Sequence, residues 1–177
     1  TKDNQTAPYG SWKSPITSEE IVSKANEYVD LYIENQKIYW IEMRPKEGGR
    51  CVIVTRLPDG STRDVIPSPF SARTRVHEYG GGSFSVSDGV VLFSNFADQR
   101  IYRYGPKDRS PVAITKTGMD IRYADFIPDK KRGRLISIQE DHTSSGEPQN
   151  TLVSLPMNKE DLTTTLAFGA DFYSSPV

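Results

Sequence analysis

The sequence has little of what builds cross-linked, metal-centred or membrane-spanning domains. Its 177 residues include one cysteine and two histidines, and a single cysteine excludes both an internal disulfide framework and a multi-cysteine zinc site. No run approaches the roughly 18 apolar residues of a membrane helix, so no membrane partner is expected. The sequence also lacks an excess of one charge, because its 22 Lys and Arg nearly balance its 23 Asp and Glu. We therefore expect no nucleic-acid partner, and the lone cysteine is compatible with a cytoplasmic location.

Aromatic residues are what the sequence does have. Nine Tyr, seven Phe and two Trp supply large apolar surfaces, which suits a globular β-rich chain better than a disordered one. At roughly 150 residues per domain, the length corresponds to about one domain. Residues 1–27 predict a polar arm followed by a short helix over Pro15 to Ala25, because Thr17 and Glu20 have the spacing of a capping box. We expect Ile21, Val22 and Ala25 to face the protein.

After the helix, apolar and polar residues alternate, which is typical of β-strands. The segments 28–66, 83–115 and 121–168 each hold four such runs separated by turn residues. The third runs of the three segments begin about 50 residues apart, and a four-stranded unit recurring at that period indicates a β-propeller. We predict an all-β chain, a partial β-propeller of about three four-stranded antiparallel blades with one short N-terminal helix. A β-sandwich or barrel is the alternative.

Three blades are too few for a closed ring, since propellers close with about four to eight blades. Residues 169–177 resemble the start of a further blade, so we expect a truncated propeller from a longer chain. The faces of the first and last blades would then be open. Self-association through these open blade faces is the other way to cover them.

Catalytic and metal-binding patterns are missing from the sequence. No Gly-x-Ser-x-Gly segment occurs, and residues 82–86 do not complete one. The pairs His77-Glu78 and Asp141-His142 are adjacent, and neighbours on a strand point to opposite faces, so neither has a chelating spacing. We predict no catalytic residue, no metal site and no cofactor within this chain.

One segment, residues 73–82, is the densest in side chains that bind ligands. Arg75, His77, Glu78 and Tyr79 are our candidates for contact with a substrate or with another domain, and three glycines follow them. An arginine can bind a carboxylate, Glu78 can accept from an amine, and the glycines let backbone approach closely. The alternative is a crossover between blades in which Arg and Glu pair internally.

The run from Arg75 to Gly82, Arg-Val-His-Glu-Tyr-Gly-Gly-Gly, resembles the N-terminal propeller of prolyl-oligopeptidase-family serine peptidases. The similarity is greatest to the dipeptidyl aminopeptidase and acylaminoacyl peptidase branch. Residues 7–17, 122–126 and 171–176 also resemble that branch. The resemblance implies a propeller that caps a C-terminal α/β-hydrolase domain and restricts entry to short peptides. It also implies that the nucleophile, acid and histidine all belong to that second domain, which this sequence does not contain.

Two functions from different classes follow from these observations. The first is a non-catalytic propeller fragment of a serine peptidase, which gates or orients short peptides for the C-terminal α/β-hydrolase domain. Its expected partners are that domain and short peptides, with Arg75, His77 and Glu78 near the interface between the domains. The second is a stand-alone propeller-like binding or scaffolding protein without enzymatic activity.

Overall fold

The N-terminal helix is shorter than its pattern predicts. The computed structural model describes residues 6–23, 25–118, 120–157 and 162–177, and its helix α1 spans Ser18–Ser23. The predicted capping box is present, with the Glu20 N–H donating to Thr17 Oγ1 at 3.1 Å and the Thr17 N–H to Glu20 Oε2 at 3.4 Å. Ile21 is 68% exposed and Ala25 is also exposed, so the expectation that they face the protein is wrong, while the side chain of Val22 lies outside the described residues. The helix lies outside the three sheets that form the core.

The rest of the described chain forms three four-stranded antiparallel sheets, and in each the strands are neighbours in chain order. The first sheet contains β1 (Glu27–Glu34), β2 (Lys37–Arg44), β3 (Arg50–Arg56) and β4 (Thr62–Asp64). The second contains β5 (Phe84–Ser87), β6 (Val90–Ser94), β7 (Ile101–Tyr104) and β8 (Val112–Ala113). The third contains β9 (Ile121–Asp129), β10 (Arg134–Asp141), β11 (Gln149–Pro156) and β12 (Thr164–Ala167). The predicted all-β fold of three meander sheets with one short helix is confirmed.

The second sheet lies between the other two, and its strand β6 carries apolar side chains on both faces. On β6, Phe93 packs into a core shared with the first sheet, which also contains Ile53. Its neighbour Leu92 points the other way and packs with Phe126 and Leu135 of the third sheet, as the alternation of side chains along a strand requires. Burying side chains of this size stabilises the fold by about 1.5–3 kcal/mol each.

The outer sheets keep apolar side chains exposed. Leu31 and Ile33 on β1 and Leu166 on β12 are all exposed, as is Phe168 just after β12. Both ends of the three-sheet stack therefore carry apolar surface, which agrees with the expectation of open blade faces. Self-association through them stays a prediction.

The first strands of neighbouring sheets lie close together, and Asp125 on β9 bonds to the residues just before β5. The register between β9 and β10 shifts at this point, and Asp125 takes a left-handed φ of 56°. Its Oδ1 accepts from the Gly82 N–H at 2.7 Å, and its Oδ2 accepts from the Ser175 N–H at 2.8 Å. Its own N–H donates to the Gly82 carbonyl at 2.8 Å. One carboxylate thus connects the residues before β5, the third sheet and the last residues of the chain.

Gly82 is required for this close approach. A Cβ at residue 82 would lie 2.9 Å from Asp125 Oδ1, whereas a Cβ at Gly146 would meet nothing within 4 Å. We predict that Gly82→Ala lowers the free energy of unfolding by about 1–3 kcal/mol, since it displaces a bonded carboxylate. Urea unfolding followed by tryptophan fluorescence measures this value. Gly146→Ala is the matched control, and equal effects of the two substitutions would contradict the account.

Candidate functional site

The candidate segment forms a tight turn between β4 and β5. His77 and Glu78 both adopt left-handed backbone angles, with φ of 55° and 60°. The Glu78 N–H donates to the Arg75 carbonyl at 3.0 Å, and the Gly80 N–H donates to the Val76 carbonyl at 2.9 Å. The expectation that His77 and Glu78 point to opposite faces of a strand is therefore wrong, because these residues belong to a turn. Two consecutive non-glycine residues in this region cost about 1–3 kcal/mol each, so the surroundings must hold the turn in place.

A cleft of about 970 Å³ opens beside this turn. Its walls come from the turn, from the end of β10, from the start of β11 with the residues before it, and from residues 168–172 after β12. Three of the four candidate side chains line it, namely His77, Glu78 and Tyr79. The aromatic rings of Tyr79, Phe168 and Phe172 are exposed there. The cleft thus combines carboxylates with apolar rings.

A buried carboxylate on β10 holds the turn. Glu140 is 5% exposed, and its Oε2 accepts from the His77 N–H at 2.7 Å. Its Oε1 accepts from His142 Nε2 at 2.7 Å and lies 3.4 Å from Arg122 Nη1. The left-handed turn is therefore fixed by a charge-assisted bond from the third sheet, and bonds of this type are about twice as strong as neutral ones.

Arg122 on β9 links the buried Glu140 to the exposed Glu78. Its Nη1 donates to Glu78 Oε1 at 2.7 Å and to the Arg75 carbonyl at 2.9 Å. The Arg122 guanidinium also holds the pKa of the Glu78 carboxyl below its usual range, through that hydrogen bond and through its charge. Glu78 is therefore an anion at neutral pH, and 72% of its side chain is exposed.

The His77 ring is held by two groups of the third sheet and the residues after it. Asn150 Nδ2 on β11 lies 2.8 Å from His77 Nε2, and the Asn150 side chain also accepts from the Tyr173 N–H at 2.7 Å through Oδ1. The Phe172 ring meets the imidazole edge-on, with the centroids 5.4 Å apart. The ring thus has a defined orientation at the wall of the cleft.

Arg75 lies apart from the other candidates. Its guanidinium lies over the Phe96 ring, 4.5 Å from the centroid, and the Arg75 N–H donates to Gln99 Oε1 at 2.8 Å. Its side chain does not line the cleft. The internal pairing expected from the alternative interpretation does occur, with Arg122 in place of Arg75 as the partner of Glu78.

Glu140, Arg122 and Asn150 were not among the candidates predicted from the sequence. A signal for Glu140 exists, since it lies two positions after the buried Ile138 on β10 and therefore on the same face of the strand. Within the part of the chain that the structure describes, no group of three or more His, Cys, Asp or Glu is arranged to hold a metal ion. None of the described helices is long and apolar enough to cross a membrane.

The chain is similar over nearly its whole length to solved structures of peptidases. It matches a puromycin-hydrolyzing peptidase of Mycobacterium tuberculosis with 32% identity and a TM-score of 0.83, covering 98% of this chain and 29% of that one. It matches puromycin hydrolase with 28% identity and a TM-score of 0.80, covering 94% and 28% of the two chains. The predicted resemblance to a propeller portion of a prolyl-oligopeptidase-family peptidase is confirmed. The chain spans less than a third of the length of these peptidases.

Other comparisons add less. A mutant of puromycin hydrolase complexed with PGG matches with 28% identity and a TM-score of 0.80, covering 93% of this chain and 28% of that one. A chain of a nidogen/laminin complex matches with 14% identity and a TM-score of 0.55, covering 81% and 49% of the two chains, which shows the fold alone. No family model matches the chain, and no curated protein matches it significantly.

Removal of the Glu140 carboxylate should loosen the turn and leave the mostly buried Arg122 guanidinium with one carboxylate partner fewer. We predict that Glu140→Ala lowers the free energy of unfolding by about 2–4 kcal/mol, because Arg122 loses one of its two carboxylate partners in a mostly buried position. Amide hydrogen exchange at His77 should become faster in this variant. Glu147→Ala is the control, since Glu147 lines the same cleft but is exposed. Unchanged exchange at His77 in Glu140→Ala would contradict the role given to Glu140.

Proposed function

We propose that the chain is the non-catalytic propeller part of a serine peptidase, which gates or orients short peptides for a C-terminal α/β-hydrolase domain. The observation that carries the proposal is the cleft of about 970 Å³ beside the His77–Tyr79 turn, in a fold that matches peptidases along almost the whole chain. A cleft of this volume lies within the range of small-ligand sites. The similarity to a peptidase complexed with PGG supports a peptide as the ligand.

Glu78 is the group we assign to the peptide's amino terminus. Arg122 bonds to Oε1 of Glu78, and among the described residues no partner is found for Oε2. A peptide ammonium has three donors and a positive charge, so it complements a fixed, exposed carboxylate. The rings of Tyr79 and Phe172 in the same cleft offer apolar surface to the side chains of the peptide.

This assignment bears on the branch of the family. The branch that the sequence resembles includes two activities. A dipeptidyl aminopeptidase acts on peptides with a free amino terminus, whereas an acylaminoacyl peptidase acts on peptides whose amino terminus is acylated. A blocked terminus has no positive charge for Glu78 to bind. We therefore place the parent protein on the aminopeptidase side.

The test uses the full-length product of the gene and a matched pair of short peptides, one with a free and one with an acetylated amino terminus. Glu78→Gln is expected to lower kcat/KM for the free-amine peptide about tenfold, corresponding to about 1.4 kcal/mol. The acetylated peptide should be unaffected. Glu19→Gln on α1 is the control, because Glu19 does not line the cleft.

Two results would overturn parts of this proposal. If kcat/KM for each peptide is the same in Glu78→Gln as in wild type, Glu78 takes no part in substrate recognition. A full open reading frame without a Gly-x-Ser-x-Gly segment downstream of Val177 would favour the stand-alone binding protein instead.

A further inference from the structure

Asn150 has a hydrogen-bonding arrangement that fixes which end of its amide faces His77. The backbone N–H of Tyr173 can only donate, so the Asn150 atom 2.7 Å from it must be the accepting oxygen. The amide nitrogen is left 2.8 Å from His77 Nε2. An amide nitrogen can only donate, and therefore Nε2 of His77 must accept and carries no proton.

A histidine whose Nε2 accepts in this way carries its proton on Nδ1. Asn150 is only 6% exposed, so water does not replace the bond, and the opposite tautomer would set two N–H groups against each other. The ring has little freedom to turn away, because Phe172 packs on it edge-on and Glu140 holds the His77 backbone N–H. Across the described residues, no acceptor lies within hydrogen-bond distance of Nδ1.

We propose that Asn150 sets the tautomer of His77, and that the resulting Nδ1–H is a hydrogen-bond donor for an oxygen atom of the peptide bound in the cleft. The ligand part of this inference rests on the proposed function. His77 and Glu78 line the same cleft in adjacent positions, one as donor and one as acceptor. The first residue of a peptide offers the complementary pair, an ammonium group and a carbonyl oxygen. Asn150 acts through His77 and is a positioning residue.

The second histidine of the chain gives an internal reference. His142 Nε2 lies 2.7 Å from Glu140 Oε1, and a carboxylate can only accept, so Nε2 of His142 carries a proton. The two imidazoles of the sequence should thus differ in which nitrogen is protonated. Long-range proton–nitrogen correlation spectra of the chain labelled with ¹⁵N-histidine, recorded at about pH 8, distinguish the tautomers. An Nε2-protonated His77 would overturn the proposal without any measurement of peptide hydrolysis.

Asn150→Asp tests the role of Asn150 directly. A carboxylate cannot donate to Nε2, so His77 is expected to become protonated at Nε2 in this variant. Glu147→Gln is the control, since Glu147 lines the same cleft but is bonded to neither His77 nor Asn150, and it should leave the tautomer unchanged. If His77 keeps its Nδ1–H tautomer in Asn150→Asp, Asn150 does not set it. Should Asn150→Asp fail to fold, Asn150→Ser, which can still serve either role more weakly, is expected to show both tautomers.

Binding is tested in the full-length product with triglycine and with triglycine amide. Both peptides should shift the His77 resonances, and His77→Phe should raise the dissociation constant of both about tenfold. An effect on triglycine alone would assign the oxygen to the terminal carboxylate instead of a carbonyl. Binding of both peptides with equal affinity to wild type and His77→Phe would overturn the ligand part. Absence of any binding to wild type, with the expected tautomers present, would overturn the proposed function and this ligand part, but not the tautomer assignment.

Discussion

The candidate site depends on one buried carboxylate. Glu140 of β10 accepts the His77 N–H at 2.7 Å, and this bond holds two consecutive residues in left-handed conformation. Such residues cost about 1–3 kcal/mol each, and the Glu140 bond adds to the hydrogen bonds within the turn by tying it to the third sheet. The same carboxylate also neutralises Arg122, which in turn orients Glu78. The geometry of the cleft thus depends on the third sheet, although His77, Glu78 and Tyr79, which line the cleft, lie before the second sheet.

The packing of the sheets brings these distant positions together. Phe93 and Leu92 point to opposite faces of β6 and join two separate cores, so the second sheet cannot shift without disturbing both. Asp125 adds polar bonds to Gly82 and Ser175 close to the line where the first strands meet. The turn follows a crossover from the first sheet, and its partners lie on the third, so the relative placement of sheets determines the site.

The sequence predicts the fold better than the site. Strand alternation and turn residues repeat every 50 residues or so, and these local signals identify the three sheets. His77, Glu78 and Tyr79 were found because they are adjacent in the sequence. Glu140 and Asn150 were not, because their roles depend on which sheets become neighbours, and no local pattern encodes the distance between residues 77 and 150. The burial of Ile21 was predicted wrongly. Periodicity shows which side chains share a face of the helix, but it does not show whether another element packs against that face.

The central claim is that the His77–Tyr79 turn, held by Glu140, is where a short peptide binds. Amide hydrogen exchange of the full-length protein, with and without a short free-amine peptide, tests this claim most directly. The account predicts slower exchange in residues 76–80 and 168–173 when the peptide is bound, with the outer strands β4 and β8 unchanged. Binding of the peptide without any change in these two segments would contradict it.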